Sequence, residues 1–171
     1  MITRRHVLAS ALGTSALALA PGASFASAPA VPVGSIKVEF SPVVASAWGP
    51  NVAIVSSELQ RQLTELLGPS FQRGAGTRLV VYVTSIWLSS DAGGGGGGGG
   101  RKAADGGGAD FDYLESIVTL SDRNGRELGR WPIRSSEMAG SAGVWTLPDI
   151  QERRLKALGR NNAYWIKRYL G

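Results

Sequence analysis

Cysteine is absent from the 171 residues, and histidine occurs once, as His6. The missing thiols exclude disulfides, thiolate metal sites, cysteine nucleophiles and a lipidated cysteine. Charged residues make up 18% of the chain and hydrophobic residues 43%. That is enough apolar material for a core, and it argues against a wholly disordered chain. Beyond residue 30, no apolar run reaches the roughly 20 residues that a bilayer requires. The length suits one domain, by the usual range of roughly 100–200 residues.

The amino terminus reads Thr3-Arg4-Arg5-His6-Val7-Leu8. Twin arginines follow a hydroxyl residue and precede a weakly apolar run over 8–20, too short for a stable membrane anchor. Small residues cluster over 23–30. Ser24 and Ala26 suit the −3 and −1 positions of a cleavage site, and Ala28 and Ala30 suit them as well. The segment resembles the twin-arginine export signal of bacteria, carried by Arg4 and Arg5; an ordinary secretory signal containing Arg-Arg is the alternative. Removal of residues 1–30 takes eighteen basic residues to sixteen against thirteen acidic, leaving about +3. It also removes His6. A chain without histidine or cysteine has no Ser-His-Asp triad, Cys-His dyad or His-ligated zinc. The expected location is the periplasm or beyond, with no transmembrane helix in the mature chain.

The body reads as alternating strands and helices. Ile36-Lys37-Val38-Glu39-Phe40 alternates strictly, as a half-buried strand does. Pro42 and Gly49-Pro50 close it off. Val52, Val55, Leu59, Leu63 and Leu66 recur at helical spacing, and Gly68-Pro69 ends that helix. Residues 79–88 are apolar on both alternating faces, which predicts a central strand covered on both sides. Strands at 111–120 and 128–133 flank Asp122-Arg123-Asn124-Gly125-Arg126, where Asn-Gly tolerates positive φ at both turn positions of a hairpin. Pro132 marks the last strand as an edge. A final helix runs from a cap at Thr146, with Asp149 three residues on, to about Leu170. Leu155, Leu158, Trp165, Ile166 and Tyr169 share one face, with Asn162 at its centre. A buried amide there requires a hydrogen-bond partner across the interface. The expected fold is α+β, a two-layer sandwich in the order β-α-β-β-β-α, with a mixed sheet and both helices on one face. Residues 1–30 are the export signal, and 31–171 form one domain with a disordered Gly-rich loop at about 89–110.

The first strand, the helix over 50–67, the strand over 79–88, and the stretch from Asp112-Tyr113-Leu114-Glu115 to Asp122-Arg123-Asn124-Gly125-Arg126-Glu127-Leu128 carry a resemblance. Their order resembles the small periplasmic α/β family of the TolB amino-terminal domain and the curli-secretion lipoproteins. It covers most of the mature chain as a pattern. The resemblance implies an envelope assembly or accessory role without catalytic residues. This chain departs from the lipoproteins in having no cysteine to lipidate, which implies an unanchored version.

Eight glycines occupy 93–100, and Gly106-Gly107-Gly108 follow. A phosphate-binding loop needs glycines at fixed offsets, Lys-Ser/Thr and a helix directly after, and these are missing. No cofactor is implied. Asp105, Asp110, Asp112 and Glu115 supply oxygen ligands of the type calcium takes, but their spacing fits no EF-hand and reads as a solvated strand entry. Of five tryptophans, Trp87 and Trp165 fall at core-facing positions, and packing also serves for Trp131. Trp48 and Trp145, beside Gly and Pro, are the surface candidates.

Residues 149–171 hold six basic residues against two acidic. Arg153, Lys156, Arg160 and Lys167 line up opposite the apolar face, and Arg154 and Arg168 extend the patch. Asp149–Arg153 and Glu152–Lys156 are i,i+4 pairs, so part of the stripe is a solvated helix face. Arg153, Arg154, Arg160, Lys167 and Arg168 are the candidate partner-binding residues. The expected function is an exported, non-catalytic periplasmic envelope module that binds an envelope protein or an anionic membrane surface. The alternative is a hydrolase or small-molecule-binding protein with a site between helix and sheet. Nucleic acid is not an expected partner, because export and the lack of interleaved stacking aromatics oppose it.

Overall fold

The computed structural model describes residues 31–89, 111–144 and 146–171. The export signal, the glycine tract, Asp105, Asp110 and Trp145 lie outside the described residues.

The chain runs β1 (Ser35–Phe40), α1 (Pro42–Trp48), α2 (Val52–Leu67), β2 (Arg78–Trp87), β3 (Phe111–Ser121), β4 (Glu127–Met138) and α3 (Ile150–Leu170). The sheet order is β1-β2-β3-β4. β1 and β2 are parallel, joined through α1 and α2, whereas β2, β3 and β4 form an antiparallel meander. This is the expected α+β order with one added helix. Ser41-Pro42 starts α1: the Ser41 hydroxyl accepts from the Val44 amide at 3.3 Å, and proline occupies the first helical turn. That pairing is a helix-start signal, and it had read only as the end of a strand.

The α2 and α3 helices cover one sheet face. Leu59 and Leu63 of α2 and Leu155, Leu158 and Ile166 of α3 meet Leu79, Val81 and Val83 of β2 and Leu114 and Val118 of β3. All are fully buried, and each stabilises by roughly 1.5–3 kcal/mol. The other face is open to solvent among the described residues. Val80 and Tyr82 on β2 and Ile117 on β3 are half-buried there, so the central strand is covered on one side rather than both. The β4 strand lies at an edge, with Pro132 opposite Ile117, as its missing N–H demanded.

Two local features depart from simple alternation. A bulge between Val83 and Ser85 shifts the phase of β2. Ile86 therefore turns into the core, and Trp87 turns out, 62% exposed. Trp48, expected at the surface, instead packs half-buried against the core. In the β3–β4 turn, Gly125 alone has positive φ, at 81°. The ladder also slips between Leu120 and Ser121. The hairpin is thus a turn with a glycine bulge rather than a two-residue turn with both positions left-handed.

Candidate functional site

The α3 helix places its charges unevenly. Arg153, Arg160 and Arg168 are exposed and Lys167 is half-buried. Asp149 holds Arg153 at 2.8 Å, and Glu152 holds Lys156 at 2.6 Å, the two i,i+4 pairs that the spacing implied. The Arg153 hydrogen bond draws the Asp149 carboxyl below its ordinary range. That carboxylate engages Arg153 instead of capping the helix, which begins at Ile150 rather than at a Thr146 cap. Arg160 lies 3.9 Å from Glu58 of α2, which also binds Arg61 at 2.8 Å. Arg168 stands over the Trp165 ring, 5.2 Å from its centre. Tyr169, expected on the core face, is 52% exposed. It lines an open cleft of about 240 Å³ with Val31, Leu128 and Trp131.

Arg154 does not belong to this surface. It is buried, and its guanidinium grips the Asp112 carboxylate bidentately, with Nε 2.8 Å from Oδ2. It also donates to the Ser89 carbonyl at 2.8 Å. Asp112 is equally buried rather than solvated, because it alternates in phase with Leu114, Ser116, Val118 and Leu120. A charge at such a position persists only with a partner. Glu115, on the opposite face, lies 3.4 Å from Arg134. The two described members of the acidic group considered for calcium, Asp112 and Glu115, therefore lie on opposite faces. Among the described residues no cluster of three His, Cys, Asp or Glu side chains is placed to hold a metal.

Asn162 is fully buried and satisfied as its position required. It accepts from Ser116 Oγ at 3.0 Å and donates to Ser135 Oγ at 3.1 Å. These bonds tie α3 to β3 and β4. The centre of the helix–sheet interface is filled by this network and the surrounding leucines, and the cleft beside Tyr169 opens only at one end of it.

The cations without ion pairs among the described residues are Arg73, Arg78, Arg123, Arg130, Lys167 and Arg168. Of the described acids, only Glu127 and Glu137 lack an ion pair. Four of the six unpaired cations gather at one end of the sheet. Arg73 sits in the loop before β2, Arg78 begins β2, Arg123 occupies the hairpin turn, and Arg130 is on β4. Arg78 pairs with Ser121 and Arg130 with Thr119, so both guanidinium-bearing residues flank β3 on the open face. Sequence reasoning found the α3 stripe because it is contiguous. It missed this end because three separated segments supply it.

No family model matches the chain, and no curated protein matches it. Solved structures align with it. A structure described as an uncharacterized protein aligns with 82% of this chain and 95% of its own, at 12% identity and a TM-score of 0.52. A "putative lipoprotein" from Caulobacter crescentus aligns over 78% of this chain and 86% of its own, at 19% identity and a TM-score of 0.41. A minor lipoprotein from Acinetobacter baumannii aligns over 79% and 90%, at 13% identity and a TM-score of 0.39. The likeness to the first of these concerns the fold alone. No described helix is long and apolar enough to cross a membrane.

Proposed function

We propose that the chain is an exported, non-catalytic module of the bacterial envelope that binds an anionic envelope component. The observation that carries the reading is the surplus of cations outside ion pairs: the surface acids are mostly matched, while arginines at the turn end and Lys167 and Arg168 on α3 face no carboxylate side chain among the described residues. The polar groups of the interior bind one another and serve the fold. Arg4 and Arg5 direct export, and the resemblance to envelope-accessory domains of the TolB amino-terminal and curli-secretion type supports the same setting.

On this reading Lys167 and Arg168, with the ion-paired Arg153 and Arg160 beside them on the helix, dock the helix side onto an anionic lipid surface, each free basic residue near the membrane contributing about 1 kcal/mol. Protein purified from the periplasm is to be sedimented with phosphatidylglycerol vesicles and with phosphatidylcholine vesicles. Binding to the first alone, weakening with salt, supports the proposal. Equal indifference to both at low salt overturns the membrane reading and leaves an acidic protein surface to be sought. If R160Q/K167Q/R168Q binds as well as wild type, the helix stripe is a solvated face.

A further inference from the structure

We infer that the cleft at the turn end of the sheet is a binding site for a phosphate group, with Arg78 and Arg123 as its charged ligands. This rests on the reading of an anionic partner and gives it a place and a chemistry. The cleft has a volume of about 450 Å³. One wall is the loop carrying Gly74, Gly76 and Thr77, and the other is the turn from Asp122 to Gly125. The walls approach each other closely: a Cβ on Gly76 would lie 3.4 Å from Cβ of Arg123. Gly34 forms the base, so close beneath the loop that a Cβ there would meet the amide nitrogens of Ala75 and Gly76 at 2.9 Å. Glycine-lined walls expose main chain to a ligand at close range.

The charges are arranged to favour an anion. Arg78 and Arg123 make no ion pair among the described residues. Asp122 is the sole carboxylate in the lining. Its Oδ1 accepts from the amides of Asn124 at 2.8 Å and Arg126 at 2.9 Å, and its Oδ2 lies 3.3 Å from Arg126 Nε. It is thus committed to the turn, and both cleft arginines are left without a carboxylate partner among the described residues. Guanidinium forks match phosphate oxygens in geometry as well as charge. Arg73 and Arg130 add to the positive field at the same end. The volume exceeds that of a bare phosphate and falls in the range of small-molecule sites, about 300–1,000 Å³. The ligand is therefore a phosphate borne on a larger body, either a soluble phosphorylated molecule or a lipid headgroup.

Titration calorimetry at low ionic strength with inorganic phosphate and with glycerol 1-phosphate probes the soluble source, and phosphatidylglycerol vesicles probe the lipid source. The variant R78Q/R123Q should bind whichever probe is bound at least tenfold more weakly. K37Q/K156Q, which removes as much charge elsewhere, should match wild type. R123E, on an exposed turn, gives the same loss if the double variant melts early. Phosphate binding lost in R78Q/R123Q, with no vesicle binding, upholds the cleft and overturns membrane docking. Vesicle binding that R78Q/R123Q retains, with no phosphate binding, overturns the cleft and leaves the docking reading standing. Affinities of R78Q/R123Q within twofold of wild type for every probe overturn the cleft, as does a wild-type protein that binds none of them.

Discussion

Arg154 on α3 and Asp112 on β3 form a bidentate ion pair inside the helix–sheet interface, and the same two side chains hold Ser89 at the end of β2. The Ser89 amide donates to Asp112 at 2.9 Å and its carbonyl accepts from Arg154 at 2.8 Å. The backbone leaving β2 and the backbone entering β3 are thereby fixed beside each other and against α3. Removing either charge leaves the other buried and unpaired, so R154M or D112L alone should cost about 3–5 kcal/mol. D112L/R154M removes both charges and should cost well below the sum of the single changes. Chemical denaturation of the four proteins in a double-mutant cycle reads the coupling directly.

With this fixture in place, the stability should depend little on what joins Ser89 to Asp112. Loop-closure entropy changes by only about 0.6 kcal/mol for each doubling of length. Deleting the eight glycines at 93–100 should therefore change stability by less than about 0.6 kcal/mol. A thermal melt checks this, and a large drop would mean that the tract makes contacts of its own.

Asn162 carries a cost of a different kind. Its amide joins Ser116 and Ser135 in a pocket sealed from water. In N162L both hydroxyls lose their partner, while Ser135 still reaches the Leu114 carbonyl at 3.3 Å. A loss of roughly 1–3 kcal/mol is expected. Adding S116A, which removes the hydroxyl left unsatisfied, should recover part of it. Equilibrium unfolding of N162L and N162L/S116A gives the comparison.

The position of Asn162 was legible because helical periodicity alone puts residues 155, 158, 162 and 166 on one arc. The period-two pattern of β3 equally put Asp112 in phase with Leu114 and Val118, but an acid beside a Gly-rich stretch reads as solvated until its partner is known. Arg154 lies next to Leu155 at the border of the apolar arc, where a long side chain can turn either way. Only the fold decides, by bringing Asp112 within reach. The bulge that reverses Trp87 was illegible for a similar reason: it depends on pairing with β3, whereas alternation along one strand carries no record of a slip. The basic turn end required the register of three strands before its arginines became neighbours.

Asp122 gives a pH-dependent prediction. The Arg126 amide, with further help from the Asn124 amide and the Arg126 guanidinium, holds its carboxyl below the ordinary aspartate range. A folded pKa lower than the unfolded one stabilises the turn above the ordinary value, about 3.9, and that contribution disappears as pH falls through the lower folded value. The carboxyl-carbon NMR titration of Asp122 should have a midpoint below that of the unfolded chain. In D122N the amide shifts of Asn124 and Arg126 should lose this acid step.

Gly34 links the start of the domain to the loop that walls the cleft. Its amide donates to the Thr77 carbonyl at 3.1 Å and to the Thr77 hydroxyl at 2.9 Å, and the hydroxyl in turn donates to the Pro32 carbonyl. Its own carbonyl accepts from the Gly74 amide at 3.0 Å. The loop is therefore pinned directly over the Gly34 α-carbon. A methyl group there meets three backbone atoms at 2.9 Å, none of which can rotate away as a side chain does. The loop must lift, loosening these bonds and moving Gly76 away from Arg123. Overpacking of this kind costs typically about 1–3 kcal/mol. At Gly140 an added Cβ meets nothing within 4 Å, so G140A is the matched control and should melt close to wild type. G34A should unfold at lower denaturant than G140A and exchange its Gly74 amide faster. Equal stability of the two variants would show that the loop yields without loss and that the cleft wall is not held by Gly34.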